Sequence, residues 1–272
     1  MEIFLYFIIF CIGTVFGSFF TLAVYRIPLK KDITHERSYC PNCNHKLTFL
    51  DMIPILSYLF LRGKCRYCKQ KIRPRYFLLE ILSGLVFVLF AVSIKLNLLT
   101  SNLSTWVYFG FGLLYFVTLF IIAGIDKEKI KIEKSVLLFG YLVETLYIIY
   151  LYVVEKDSNI YRYVIYLAII CILILVDIAI LRKRAKDSYP IEILLLCMLL
   201  LTFTYETVTF LTITFTLLCI TFYQLGHTLI RKKYRRKQKE KQGKVTIPIG
   251  FYLCVTNIIC LLITNFYIFY RW

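Results

Sequence analysis

CPNCNHKLTFLDMIPILSYLFLRGKCRYC, residues 40–68, carries two C-x-x-C pairs, Cys40/Cys43 and Cys65/Cys68, at the ends of an apolar run. A two-residue turn lets two thiolates reach one ion, and a second pair completes the tetrahedron that Zn²⁺ prefers. The segment between the pairs is slightly longer than is usual for a zinc ribbon. His35 and His45 lie near enough in sequence to replace a sulfur, but four cysteines make them unnecessary. Disulfides or unliganded thiols are the competing reading; the regular pairing favours a structural zinc. Between the pairs, residues 49–61 are strongly apolar yet too short to cross a bilayer. They are expected at the membrane interface, clamped at both ends by the metal, with a small ribbon core as the plainer outcome.

Long apolar runs flank this segment. The 272 residues are 60% hydrophobic with a mean hydropathy of +0.72, values that place most of the chain in lipid or among its own helices. The pattern predicts an all-α, polytopic membrane protein of about eight transmembrane helices, near 3–25, 77–97, 106–125, 135–154, 162–181, 190–206, 208–229 and 248–268, the sixth being the shortest. Residues 1–97, with two spans and a loop at about 26–76, form one region, and a six-span membrane domain over 98–272 forms the other. Glu2 in place of a basic leader segment, with a long apolar stretch after it, argues that the first span is kept rather than cleaved. No internal repeat or strand pattern rises above the helical background.

The net charge of +17 is not spread evenly: residues 26–75, 127–134, 182–186 and 231–244 hold twelve, four, four and nine of the 33 Lys and Arg. With eight crossings these loops share one side, the positive-inside pattern, which predicts a cytoplasmic zinc loop, both chain ends outside and residence in the cell membrane. Membrane lipid is the implied neighbour, and nucleic acid is not needed to explain the charge; the run from Arg231 to Lys244 reads as a topogenic loop, although anionic lipid or nucleic acid would also suit it. A reducing cytoplasm keeps the loop thiols free for metal. Cys11, Cys171, Cys197, Cys219, Cys254 and Cys260 fall in expected spans and read as small apolar residues.

No nucleotide loop, zincin or serine-hydrolase motif occurs, so the chemistry falls to carboxylates. Asp126 at the end of the third expected span and Asp187 at the start of the sixth both lie at the basic side of the membrane, where two carboxylates sharing a proton can hydrolyse a peptide bond. Asp177 is ten residues earlier, about 15 Å deeper along a continuous helix, and a poorer partner. Charge pattern alone favours a simpler outcome, with Asp126 paired to Lys127, Lys129, Lys131 or Lys134 and Asp187 to Arg184 or Lys186. Glu80, Glu144 and Glu206 read as packing or interfacial acids.

The run from Phe16 to Pro28, FGSFFTLAVYRIP, followed by RSYCPNC at 37–43, DMIPILSYL at 51–59, RGKCRYC at 62–68, IRPRYFLLE at 72–80 with Gly84, and IPIG at 247–250, closely resembles bacterial type IV prepilin peptidases. The likeness is densest over 16–84 and looser beyond. It implies an intramembrane aspartyl peptidase that cuts prepilin or pseudopilin leaders at the cytoplasmic face, serving a competence pseudopilus or type IV pilus. Many such enzymes also methylate the new N-terminus with S-adenosylmethionine, for which no residues are assigned here. The family's first catalytic aspartate maps to Asp126, ahead of Ile132 with Glu133 where the family has proline. The second ends a G-x-G-D motif and maps to Asp187 in Arg184-Ala-Lys-Asp187, where both glycines are replaced; Thr21 stands where asparagine is usual. A catalytically inactive membrane scaffold or a transporter of the same fold is the alternative.

Overall fold

The computed structural model describes residues 2–33, 37–156, 160–183, 189–234 and 247–271, with the side chains of 160, 179–183, 227–234 and 271 outside that description. Among the described residues the chain is helical and has no strand beyond two isolated bridges. Nine α-helices lie among the described residues: α1 (Glu2–Arg26), α2 (Leu56–Phe60), α3 (Arg75–Ser93), α4 (Leu103–Lys129), α5 (Lys134–Tyr150), α6 (Ile160–Lys183), α7 (Tyr189–Phe203), α8 (Glu206–Tyr234) and α9 (Ile249–Arg271). Among the described residues, seven stretches are long and apolar enough to cross a membrane. The sixth expected span is the exception: α7 has 15 residues, fewer than the ~20 a span requires. The all-helical, polytopic expectation holds.

The chain folds as two compact units, Met1–Leu113 with Asn265–Trp272, and Leu114–Thr264. In the first, α1 packs on α3 through small residues. Ser83 Oγ donates to the Gly13 carbonyl at 2.7 Å, and a Cβ on Gly13 would lie 2.7 Å from Gly84 Cα. Apolar side chains gain little by leaving lipid for one another, so helices in a bilayer associate where backbones can approach closely and a hydroxyl can bond across the gap. The Tyr6 hydroxyl donates to Leu96 O at 3.1 Å and ties α1 to the end of α3.

In the second unit α4 is central: its best span window is 61% buried, against 17% for α6. Tyr115 on α4 stacks on Phe203 at 4.1 Å, while Thr118 on α4 and Leu199 on α7 crowd Gly140 on α5. Buried polar bonds join α4, α8 and α9: Tyr115 donates to Asn257 at 2.8 Å, Asn257 to Thr212 at 3.2 Å, and Thr216 and Thr256 share a bond of 2.7 Å. Such hydroxyl and amide pairs remove the cost of leaving a polar group unpaired in hydrocarbon.

Candidate active site and metal centre

The two cysteine pairs form near-copies of one knuckle. Cys40 N–H bonds His45 O at 3.0 Å and Asn44 N–H returns to Cys40 O at 2.8 Å; in the second, Cys65 N–H bonds Gln70 O at 2.9 Å and Lys69 N–H returns to Cys65 O at 3.1 Å. Asn44 and Lys69, each directly after a second cysteine, take left-handed φ of 55° and 59°. These turns aim backbone amides and sulfurs inward, and the four Sγ atoms lie within 4.8 Å of one another. Four Zn–S bonds of ~2.3 Å put tetrahedral sulfurs about 3.8 Å apart, and the Cys40–Cys68 separation is 3.8 Å. The donor set and spacing therefore fit a tetrahedral thiophilic ion. The four sulfurs form the cluster without His45; its ring packs, tilted, against Tyr67 across the two knuckles, centroids 3.6 Å apart. His35 lies outside the described residues.

The thiols differ. The Gln70 N–H and the Asn42 amide bring Cys68 down to about 6. At Cys43 the His45 N–H pulls downward, but lost hydration and the neighbouring sulfurs raise it to about 11. Between the knuckles, Asp51 accepts from the Thr48 hydroxyl at 2.6 Å and from Arg66 at 2.6 Å. Burial would raise its carboxyl, yet Thr48 and Arg66 outweigh burial and hold it below the usual carboxylate range.

Asp126, near the end of α4, is fully buried. Tyr189 Oη donates to its Oδ1 at 2.8 Å, and the Phe251 N–H, in the first turn of α9, donates to Oδ2 at 2.9 Å. Ile249 N–H in turn donates to Tyr189 Oη at 3.1 Å. A helix N-terminus leaves its first N–H groups without intrahelical partners, and Asp126 takes one of them from a different helix, with the favourable pole of the helix dipole beside it.

Three of the four lysine partners suggested by charge pattern, Lys127, Lys131 and Lys134, are engaged elsewhere, which corrects that expectation. Lys131 bonds Glu133 at 2.8 Å, Lys134 pairs with Asp177, and Lys127 lies over the Phe251 ring at 4.7 Å. Asp187 and its suggested partners Arg184 and Lys186 lie outside the described residues. Asp177 is buried on α6, its Oδ2 taken by Lys134 and its Oδ1 without a hydrogen-bond partner.

The acids read as packing groups each accept a hydrogen bond. Glu80 Oε2 accepts the Ile55 N–H at 2.8 Å, Glu144 accepts from Thr202 on α7, and Glu206 accepts from Tyr166 at 2.8 Å. Sequence reasoning missed Tyr189 and the Phe251 N–H. Pro248 was the available signal: proline favours the start of a helix, whose open N–H groups require an acceptor.

Residues 11–94 match the family model described as Bacterial Peptidase A24 N-terminal domain. Among curated proteins, the chain is similar to the prepilin leader peptidase/N-methyltransferase of Vibrio cholerae, 36% identical over 145 residues covering 41% of this chain and 57% of the relative. That of Bacillus subtilis is 34% identical over 137 residues, covering 48% and 50%, and that of Myxococcus xanthus 44% identical over 79 residues, covering 29% and 24%. The chain thus spans between about a quarter and somewhat over half the length of these relatives. No solved structure matches it. The resemblance drawn from the motifs of residues 16–84 agrees with both findings.

Proposed function

We propose that this protein is a membrane-embedded prepilin leader peptidase that cuts the leaders of type IV prepilins or pseudopilins at the cytoplasmic face, with Asp126 and Asp187 as the catalytic pair. The observation that carries the reading is the setting of Asp126: a buried carboxylate at the end of a central membrane helix, with donors on both oxygens and one of those donors, Tyr189, two residues after Asp187 in the chain. Each carboxylate oxygen has a second lone pair, so one water can still bond to Asp126. One aspartate removes a proton from that water as it attacks the scissile carbonyl. The other, protonated, gives its proton to the carbonyl oxygen so that a gem-diol forms; as the C–N bond breaks, the first aspartate passes the water's proton to the leaving amine and the second takes its proton back from the gem-diol hydroxyl. Tyr189 and the Phe251 N–H fix the orientation of Asp126 through the cycle.

The N-terminal region, residues 1–97, carries a structural Zn²⁺ held by Cys40, Cys43, Cys65 and Cys68, and residues 98–272 form the six-span peptidase region. The basic loops lie in the cytoplasm and both chain ends outside. An even number of crossings requires α7 to cross. In support, its two ends touch α4 at Asp126 and Tyr115, about 16 Å apart along that helix. The substrate's hydrophobic helix lies in the bilayer while its leader stays in water, so recognition rests on the segment spanning the cut. The relatives' names pair leader cleavage with N-methylation; methyl transfer from S-adenosylmethionine to the new N-terminus is part of the proposal, and no residue is assigned to the donor.

A second reading has its own observation: Asp126 caps α9, a role that needs no chemistry. Purified protein incubated with a prepilin from a pilus or competence system decides between them. Leader removal that disappears in Asp126→Asn and in Asp187→Asn is the expected result; no cleavage of any prepilin leaves the inactive scaffold.

A further inference from the structure

Beside the second cysteine pair, Arg62, Lys64, Lys71 and Arg73 line one cleft with Tyr58 and Gly63, and no carboxylate is among its lining residues. The fold itself gathers these charges. Lys64 and Lys71 stand opposite one another in an antiparallel bridge, and the Ile72 N–H bonds Gly63 O at 2.7 Å between them. Like charges directly opposite destabilise a strand pair, so an anion between them removes a cost built into the loop. Gly63 keeps the cleft open: its φ is +65°, and a Cβ there would lie 2.8 Å from Tyr58 Oη. Pro74, at the N-terminus of α3, is on the same wall, which adds the positive end of a 19-residue helix.

The cleft is also fixed in depth. Tyr58 stacks on Phe77 at 4.9 Å, and the Ile55 N–H donates to Glu80 at 2.8 Å, contacts to the third and sixth residues of a helix that qualifies as a membrane span. Ile55 has φ +61°, a costly conformation for a β-branched residue, and it persists because the surrounding contacts over-determine it. The loop is therefore pinned level with the first turns of α3, where headgroups meet hydrocarbon. Around it, apolar side chains stand uncovered: Phe60 is 82% and Leu59 56% exposed, and Leu78 on α3 is 60% exposed.

From this juxtaposition we infer that the cleft binds the phosphate of an anionic phospholipid headgroup, with the lipid's acyl chains against Leu59, Phe60 and the outer face of α3. Cations supply the headgroup site and the apolar fringe supplies the tail site, a pairing that free phosphate or nucleic acid does not use. A methyl donor carrying net positive charge is disfavoured in the same cleft. The inference requires only that α3 enters a bilayer and is independent of the peptidase reading.

The test uses the full-length protein in detergent, titrated with fluorescent phosphatidylglycerol and separately with phosphatidylcholine. The expected result is at least about tenfold tighter binding of phosphatidylglycerol, falling about fivefold for each cation neutralised. Two variants are compared, Arg62→Gln with Arg73→Gln and Lys64→Gln with Lys71→Gln, with zinc content and melting temperature reporting the fold. Equal binding of the two lipids by the unmodified protein overturns the inference, whatever the variants do. So does an unchanged preference in a folded variant, or displacement of the lipid by millimolar inorganic phosphate or by a single-stranded oligonucleotide.

Discussion

Tyr189 donates a 2.8 Å hydrogen bond to Asp126, joining the start of α7 to the end of α4 at the point where the proposed chemistry occurs. Tyr189→Phe removes that donor and keeps the ring. Leader cleavage should fall about tenfold in kcat with KM little changed, because the bond orients a catalytic carboxylate and does not grip substrate. An unaltered kcat in a folded Tyr189→Phe protein would show that the Phe251 N–H alone suffices.

Asp126→Asn and Asp187→Asn should each lower cleavage by at least ~100-fold, the scale of a lost general acid or base. Asp177→Asn is a different experiment. It removes the buried member of a half-exposed ion pair with Lys134, so stability should suffer by about 1–2 kcal/mol while cleavage by the remaining folded enzyme continues. Cleavage retained in Asp187→Asn and lost in Asp177→Asn would assign the second acid to α6.

Metal analysis of the purified protein should give one zinc per chain, and serine at any one of Cys40, Cys43, Cys65 or Cys68 should lower that occupancy and speed alkylation of the other three. Zinc binding displaces protons from thiols. With Cys43 near 11 and Cys68 near 6, affinity should weaken steadily on acidification, as a pH series of competition against a chelator would record. No zinc and four freely alkylated thiols would end the metal assignment.

Asp51→Asn should loosen the loop at neutral pH by about 1–2 kcal/mol through loss of the cap at Thr48 and the bond to Arg66, read as faster amide exchange over residues 48–66. Because the folded carboxyl lies below its unfolded value of ~3.9, its contribution is complete above that value and is lost as pH falls through the lower folded one. The difference between variant and parent should therefore vanish only below about pH 4. A difference that disappears already at pH 6 points to a titrating group other than Asp51.

Gly13→Leu should separate α1 from α3, since even a Cβ there meets Gly84 Cα at 2.7 Å and backbone cannot yield as a flexible side chain does. A thermal melt of the detergent-solubilised protein lowered by several degrees is expected. An unchanged melt would mean the two helices are not held by this contact.

Much of this was legible in the residues. Apolar runs of 20 or so residues announce membrane helices directly, and two C-x-x-C pairs announce a thiolate cluster, because in both cases the physical requirement is local in sequence. The partner of Asp126 was not legible. Its neighbours Lys127, Lys129, Lys131 and Lys134 suggested ion pairs, whereas the fold satisfies it with a phenol and a backbone amide from residues 63 and 125 positions away. Such bonds depend on how helices dock, for which a single sequence carries little signal. The cleft around Gly63 was hidden for the same reason: its four cations read as a topogenic charge run until Tyr58, pinned against Phe77, gave them a common wall.

The length of α7 has a consequence for the surrounding lipid. Fifteen residues rise only about 22 Å, some 8 Å less than a typical hydrocarbon core of ~30 Å. A bilayer meeting so short a helix relieves the mismatch by thinning around it. With α7 as a crossing, as proposed, headgroups and water would be drawn inward along it, and the end of α7 that carries Tyr189 is the end that touches Asp126. If α7 crosses the membrane and the chain hydrolyses peptide bonds, as proposed, such a dent would bring water to Asp126 at a depth where an undisturbed bilayer would be dry.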